Sequence, residues 1–263
     1  MQEKIKSEGK CLFCGKTFAK AGVNRHLATH LKEKATDGNP GTSFLVKVEP
    51  DKSWGTTLYF LSLWIDGETT MDTFDSFLRA IWLECCGHAS AFQDPKRSGS
   101  GGGMWDIMDA YELLDKGNEE EYNRIMEDCT GQIPMSTEVK DALYKGLALD
   151  YEYDFGSTTS LTITAMEQYP MKAVQDIVLL SRNEPLQIMC SGCGKVPATQ
   201  ICTVCAWDGG GVFCNKCAKK HAKECEDFAD YASMPVVNSP RMGVCAYEGG
   251  TIDNERDGVY KIT

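Results

Sequence analysis

The alternation of apolar and polar residues predicts a sheet in the middle of the chain. Half-buried strands alternate in this way, because successive side chains point to opposite faces of a sheet. Five segments are typical of strands: 43–48, 57–63, 151–155, 160–165 and 176–180.

Helical periodicity predicts the elements that cover this sheet. Asp72 is a good N-cap for a helix, and one apolar face recurs at helical spacing after it, formed by Phe74, Phe77, Leu78, Ile81, Trp82 and Cys85. Residues 104–128 predict two more helices, broken at 116–118. The sum is an α+β fold, with a mixed or antiparallel sheet and packed helices.

Composition and length change this picture little. The chain has 263 residues, of which 42% are hydrophobic, and no apolar run approaches the ~18–20 residues that cross a bilayer. The first ten residues are polar and lysine-rich, unlike a secretory signal. We therefore expect a cytoplasmic protein with no membrane partner.

Charge is distributed unevenly along the chain. Residues 1–36 carry eight Lys and Arg against three Asp and Glu, a net charge of +5, and residues 190–225 carry five against two, or +3. Residues 37–189 carry 11 against 26, or −15. The acidic middle would repel nucleic acid, while the two basic segments either contact phosphate or are solvated surface.

The cysteines indicate metal binding. Four Cys-x-x-Cys pairs occur among 13 cysteines, and three of the four histidines lie just downstream of such pairs. Disulfide frameworks do not need histidine and are typical of secreted proteins. In a reducing compartment, close cysteine pairs followed by histidines are typical of zinc sites, because zinc takes four thiolate or imidazole ligands. We predict three Zn²⁺ ions, held in two small zinc-stabilised modules.

The first module covers residues 1–36. Cys11 and Cys14 form one pair of ligands, and His26 and His30 lie four apart, on one helix face. Phe18 and Val23 lie between them as an apolar cover. The segment resembles a two-Cys, two-His zinc finger, with eleven residues rather than the usual twelve between the second Cys and the first His.

This resemblance predicts little base recognition. The positions that read bases in DNA-binding fingers correspond to Ala19, Gly22 and Arg25, of which only Arg25 can donate a hydrogen bond to a base edge. Non-specific phosphate contacts remain open to five basic residues: Lys10, Lys16, Lys20, Arg25 and Lys32.

The second module covers residues 190–225 and supplies eight ligands, enough for two ions. Interleaved pairs of this kind commonly fold as a cross-brace. One ion would be held by Cys190, Cys193, Cys214 and Cys217, and the other by Cys202, Cys205, His221 and Cys225. The segment resembles a B-box or MYND-type module. Because each set is closed with four protein ligands, we expect structural sites. The resemblance implies a surface for an unidentified protein partner, although a stabilising module without a partner stays open.

Two stretches of the middle carry a further resemblance. WLECCGHASAF (82–92) and YEYDFGSTTSLTI (151–163) resemble the Ri-plasmid open-reading-frame-three family, also described as TnpR-like passenger proteins of insertion elements. The similarity continues through LLSRNEP (179–185) to MPVVNSPRMGVCAY (234–247). It implies an α+β fold over residues 43–189 and a loose association with mobile DNA, but no chemistry. The insert 94–148 departs from the family and receives no role, and residues 226–263 are interpreted as a C-terminal tail.

An enzyme is the least favoured interpretation. His88, with Glu84, Glu152 or Asp154, could perform acid–base chemistry if they share a cleft. His88, after Cys-Cys-Gly at a helix end, is more typical of a capping or core residue, and Asp154 of a turn carboxylate. Cys85 is interpreted as a buried apolar residue. Cys245 could replace a ligand of the second module. A redox role for Cys85 and Cys86 is disfavoured, because a disulfide between neighbouring cysteines is strained. The sequence thus predicts a non-enzymatic zinc protein of macromolecular recognition, with a protein partner favoured over weak, non-specific nucleic-acid binding.

Overall fold

The computed structural model of the chain describes residues 5–36, 38–52, 58–97, 104–208 and 210–253. Its strands are β1 Glu8–Lys10, β2 Thr17–Ala19, β3 Pro40–Pro50, β4 Leu61–Asp66, β5 Ser90–Gln93, β6 Gln132–Ile133, β7 Ala148–Tyr153, β8 Thr159–Met171, β9 Ile177–Arg182, β10 Gln200–Cys202, β11 Val212–Phe213 and β12 Ser233–Pro235. Its helices are α1 Lys20–Lys34, α2 Met71–Leu78, α3 Met104–Asp115, α4 Glu119–Thr130, α5 Val139–Ala142, α6 Asn215–His221 and α7 Glu226–Asp230, with a π-helical turn at Arg79–Leu83 and a 3₁₀ turn at Cys205–Asp208. Parts of the predicted segments 1–36, 57–63, 94–148 and 226–263 lie outside the described residues.

Seven strands form the central sheet, in the order β6-β5-β7-β8-β3-β4-β9. Every neighbouring pair in it is antiparallel. The predicted α+β fold is confirmed, and of the two sheet types left open the antiparallel one is found. Two smaller sheets, β1-β2 and β11-β10-β12, belong to the two cysteine-rich segments.

Helix α2 differs from the predicted helix in two details. It begins two residues earlier, because the Thr70 hydroxyl, rather than Asp72, caps it by accepting a hydrogen bond from the Thr73 N–H at 3.2 Å. Asp72 lies in the first turn, where a carboxylate favours the helix dipole. The helix then widens into the π-helical turn. The predicted break at 116–118 does separate α3 from α4.

The central sheet is covered on both faces around strand β4. One face packs against α2 and the π-helical turn, through a core that includes Phe74, Ile81 and Trp82. Strand β4 is buried at all six positions, so its alternate side chains need a cover on the opposite face as well. On that opposite face, Trp64 of β4 and the neighbouring Phe60 belong to a second core.

Helix α1 of the N-terminal segment supplies this second cover. Leu27 and Leu31 are fully buried in the same core as Trp64. Asn24, beside them, accepts a hydrogen bond from the buried Ser62 hydroxyl at 2.8 Å. A buried hydroxyl without a partner is costly, so this bond fixes the position of the helix on the sheet.

The segment that follows β12 also returns to the central sheet. Arg182 is fully buried and donates to the Asn238 carbonyl at 2.6 Å, and Asn183 and Asn238 exchange hydrogen bonds. Ser239 donates to the Trp82 carbonyl at 2.7 Å. Residues 236–253, which the sequence analysis interpreted as tail, are therefore structured and packed against the sheet. We call them the closing segment.

Across the part of the chain that the structure describes, none of the helices combines the length and apolar character needed to cross a membrane.

If α1 is a cover of the sheet rather than a tethered module, Leu27→Ala will destabilise the whole chain. Truncating a buried leucine costs about 2–5 kcal/mol, and we expect this loss in the free energy of unfolding measured by urea titration with tryptophan fluorescence. The matched control is Leu114→Ala on α3, where the leucine is 37% exposed and the loss should stay below about 1 kcal/mol. Unfolding unchanged by Leu27→Ala would show that the sheet does not depend on α1.

Candidate metal centres

The N-terminal group brings Cys11, Cys14, His26 and His30 together, with all four ligand atoms within 4.8 Å of one another. The β1-β2 hairpin positions the two cysteines, and α1 presents both imidazoles. Cys14 Sγ lies 3.2 Å from His26 Nε2, which lies 3.1 Å from His30 Nε2. Tetrahedral Zn²⁺ with ordinary bond lengths separates S and N ligands by ~3.6 Å and two N ligands by ~3.3 Å. The group therefore fits a Zn²⁺ ion.

The surroundings of His26 favour the neutral form of its imidazole, which is the form that binds metal. Burial, followed by the neighbouring His30, lowers the pKa of His26, which keeps this imidazole neutral and able to bind metal at pH 7. Phe18 stacks on His26 with a centroid distance of 4.1 Å, and Val23 is fully buried beneath. These are the two residues that the sequence assigns to the apolar cover.

The C-terminal segment (residues 190–225) brings together two further groups of four. Cys190, Cys193, Cys214 and Cys217 form one, and Cys202, Cys205, His221 and Cys225 form the other. The structure thus places the ligands in the interleaved arrangement that the sequence predicts. Helix α6 contributes to both groups, since Cys217 and His221 lie one turn apart on it.

Hydrogen bonds favour ionisation of the Cys190 thiol in the first of these groups. Burial opposes the charge on Cys190, but the backbone N–H groups of Cys214, Cys193 and Gly192 point at its sulfur and lower its pKa to about 6. Cys217 donates to Cys190, which raises the pKa of Cys217 to about 12. A divalent cation between them would favour the thiolate form of both.

The second group contains a buried polar atom that a bound metal ion would satisfy. His221 Nε2 is buried and has no hydrogen-bond partner among the residues that the structure describes. Its ring is held between Phe213, stacked at 4.3 Å, and Phe228, at 4.9 Å. A buried imidazole nitrogen without a partner is costly, and a metal ion bound by the three neighbouring cysteines would satisfy it.

The predicted phosphate contacts have different environments. Lys16, Arg25 and Lys32 are exposed, whereas Lys20 forms an ion pair with Glu49 at 2.7 Å. Helix α1 begins at Lys20, so the base-reading positions do correspond to Ala19, Gly22 and Arg25. Only Arg25 offers a side chain that can read a base.

A fourth group was not found from the sequence. Cys85, Cys86, His88 and Cys245 also have their ligand atoms within 4.8 Å of one another. Cys85 is half-buried beside a buried arginine rather than a plain apolar residue, and Cys245 lies here rather than in the C-terminal segment. Local spacing could not reveal the group, because Cys245 is 157 positions after His88.

The acid–base candidates are close together but already engaged. His88 Nε2 lies 3.6 Å from Asp154 Oδ2. Asp154 is a turn carboxylate that accepts hydrogen bonds from the N–H groups of Gly156 and Ser157, both at 3.1 Å. The Arg241 guanidinium, 2.7 Å away, lowers the pKa of Asp154 to about 2. A carboxylate of this acidity is a weak base near neutral pH.

The two remaining carboxylates of this interpretation lie on different elements. Glu84 follows the π-helical turn and accepts a hydrogen bond from Arg79 at 2.8 Å. Glu152 lies on β7, opposite Ala91 of β5.

Comparisons with known proteins add little to this description. No protein-family model matches the chain, and no curated protein matches it. Among solved structures, it is similar to a protein of unknown function, MM3350 from Methanosarcina mazei Go1, at 15% sequence identity and a TM-score of 0.37. That similarity covers 72% of this chain and 86% of the other.

The interleaved grouping predicts which thiols lose protection together. In Cys193→Ser, we expect one Zn²⁺ fewer by native mass spectrometry, and rapid alkylation of Cys190, Cys214 and Cys217. Cys202, Cys205 and Cys225 should stay protected, because they belong to the other group. If the ligands were instead grouped in chain order, with Cys190, Cys193, Cys202 and Cys205 around one ion, Cys193→Ser would expose Cys202 and Cys205. Cys129→Ser, which changes a cysteine outside the four groups, is the control and should change neither the zinc content nor the protection.

Proposed function

We propose that this protein is a non-enzymatic, multi-zinc protein of macromolecular recognition, and that its partner is a protein. The observation that carries the proposal is the convergence of the predicted ligands into three sets of four. In each set the ligands come from the protein alone, which is typical of structural zinc, whereas catalytic zinc keeps a position open for water or substrate.

The C-terminal segment depends most on its metal ions. The two apolar clusters in and beside it contain only four buried residues each, too few to hold such a segment folded by burial alone. Metal binding would supply the remaining stabilisation, as it does in other small metal-dependent modules. The role of its zinc ions is thus to make a small surface rigid.

That surface carries exposed apolar side chains. Val204 is 41% exposed in the turn between Cys202 and Cys205, and Tyr231 is 67% exposed just before β12. The two lie near each other, because the Thr203 N–H donates to the Ala232 carbonyl at 2.9 Å. Met189 and Val196 form a second exposed pair around Cys190. Exposed apolar residues grouped in this way favour a protein partner.

Nucleic-acid binding is the alternative, supported by the exposed lysines of the same segment. Lys216, Lys219, Lys220 and Lys223 are exposed on or just after α6. Lys220 lies 3.6 Å from Glu224, however, and acidic residues dominate the rest of the chain. We therefore rank this role, together with an association with mobile DNA, below protein recognition. Membership of the Ri-plasmid open-reading-frame-three family stays a prediction from the sequence.

A photo-cross-linker tests the proposed surface directly. With p-benzoylphenylalanine in place of Tyr231, irradiation of cells that naturally express the protein should give one discrete protein adduct. The matched control replaces Tyr144, a tyrosine 51% exposed between α5 and β7 of the central domain, and should not give that adduct. An adduct of equal yield from both positions, or from neither, would contradict the proposed surface.

Salt dependence separates the two kinds of partner. We expect that a labelled 20-base-pair duplex will show no saturable anisotropy change with the full zinc-loaded chain at 150 mM salt. Saturable binding that weakens steeply with added salt, and that is further weakened in Lys216→Ala and Lys219→Ala, would support the nucleic-acid role instead. Lys145→Ala, which removes a lysine of the central domain paired with Glu167, is the charge-matched control.

A further inference from the structure

We propose that Cys85, Cys86, His88 and Cys245 form a fourth metal site, which takes a Zn²⁺ ion and fastens the closing segment to the central sheet. The site lies outside the two cysteine-rich segments. It would raise the metal content of the chain from three ions to four.

The distances within the group fit a tetrahedral ion. Cys86 Sγ lies 3.8 Å from Cys245 Sγ, and Cys245 Sγ lies 3.5 Å from His88 Nε2. With Zn–S near 2.3 Å and Zn–N near 2.05 Å, a tetrahedron separates two sulfurs by ~3.8 Å and a sulfur from a nitrogen by ~3.6 Å. A disulfide between Cys86 and Cys245 would instead require ~2.05 Å.

Local structure positions the first three ligands. They follow the π-helical turn, where Gly87 adopts a left-handed conformation (φ +71°) that reverses the chain between Cys86 and His88. Glu84 Oε1 accepts a hydrogen bond from the Gly87 N–H at 2.6 Å and so holds this turn. The second and fourth positions of the sequence Cys-Cys-Gly-His thereby reach the same point.

The closing segment positions the fourth ligand. Cys245 has φ +53°, a conformation that a non-glycine residue adopts only when its surroundings impose it. On one side of it, Arg241 is fully buried, and on the other Tyr247 is fully buried. The Tyr247 N–H donates to the Val244 carbonyl at 3.2 Å, so Cys245 lies in a tight turn. This turn brings its exposed side chain to Cys86 and His88.

A buried arginine also contacts the site. Three thiolates and a neutral imidazole around Zn²⁺ leave one negative charge. Arg241 places its guanidinium 3.4 Å from Cys85 Sγ and 2.7 Å from Asp154 Oδ2. A guanidinium donor at this distance is suited to hydrogen-bond a sulfur ligand of a metal ion. Hydrogen bonds around the ligands commonly hold metal sites in this way.

Metal content provides the first test. By native mass spectrometry, we expect the full wild-type chain to hold four Zn²⁺ ions and Cys245→Ser three. Cys129→Ser should retain four, because Cys129 is the one cysteine of the 13 that belongs to none of the four groups. Three ions in the wild type, unchanged in Cys245→Ser, would overturn the fourth site and leave the other three intact.

Thiol protection provides a test with an internal control. Cys86 and Cys245 are exposed, whereas Cys129 is only partly exposed. Free thiols would therefore react with iodoacetamide faster at Cys86 and Cys245 than at Cys129. We expect the opposite order in zinc-loaded protein and its reversal after chelation. Alkylation of Cys86 and Cys245 ahead of Cys129, or a Cys86–Cys245 disulfide in protein purified under native conditions, would contradict the proposal.

A measurement on the wild type removes the dependence on a variant that folds. In ¹¹³Cd NMR of the cadmium-loaded full chain, the four groups predict four resonances. Their donor sets are two sulfurs with two nitrogens, four sulfurs, and twice three sulfurs with one nitrogen. A spectrum that lacks the second resonance of the three-sulfur type would refute the fourth site. Absence of the other resonances would instead refute the zinc sites of the proposed function.

Discussion

The need to bury strand β4 on both faces determines how this molecule is assembled. All six of its residues are inaccessible, and the central sheet has α2 and the π-helical turn on only one side of this strand. A sheet left bare on its other face would expose Trp64 and its apolar neighbours to water, at a cost proportional to the exposed area. Helix α1 covers that face, so the N-terminal Cys/His group is part of the fold.

This arrangement uses up the faces of α1. One face carries His26 and His30 towards the metal ligands, and another carries Leu27 and Leu31 into the core on the sheet. The helix surface that remains is narrow, with Arg25 as its one candidate for reading bases. The same helix cannot lie deep in a groove of nucleic acid while it packs on the sheet. A metal ion bound by its Cys/His group would make this cover rigid.

The sequence predicts what short-range spacing determines. Cysteines two apart and histidines four apart on a helix identify a ligand group within twenty residues, and the period of the α2 face identifies that helix. Contacts between distant segments are not determined in this way. Leu27 and Leu31 could equally have packed within their own module, and Cys245 carries no mark that associates it with His88. Likewise, Thr70 and Asp72 are both good caps, and only the path of the chain decides between them.

The closing segment explains why such distant residues were brought together. It buries two arginines completely, Arg182 and Arg241, and a buried cation is tolerated only when all its partners are in place. Arg182 takes partners from Asn238 and Asp253, and Arg241 takes Asp154. A partly docked segment would leave at least one of these charges unpaired. The segment therefore docks as a unit. A metal ion bound through Cys245 would stabilise this docked state relative to the undocked state, in which water solvates both arginines and their partners.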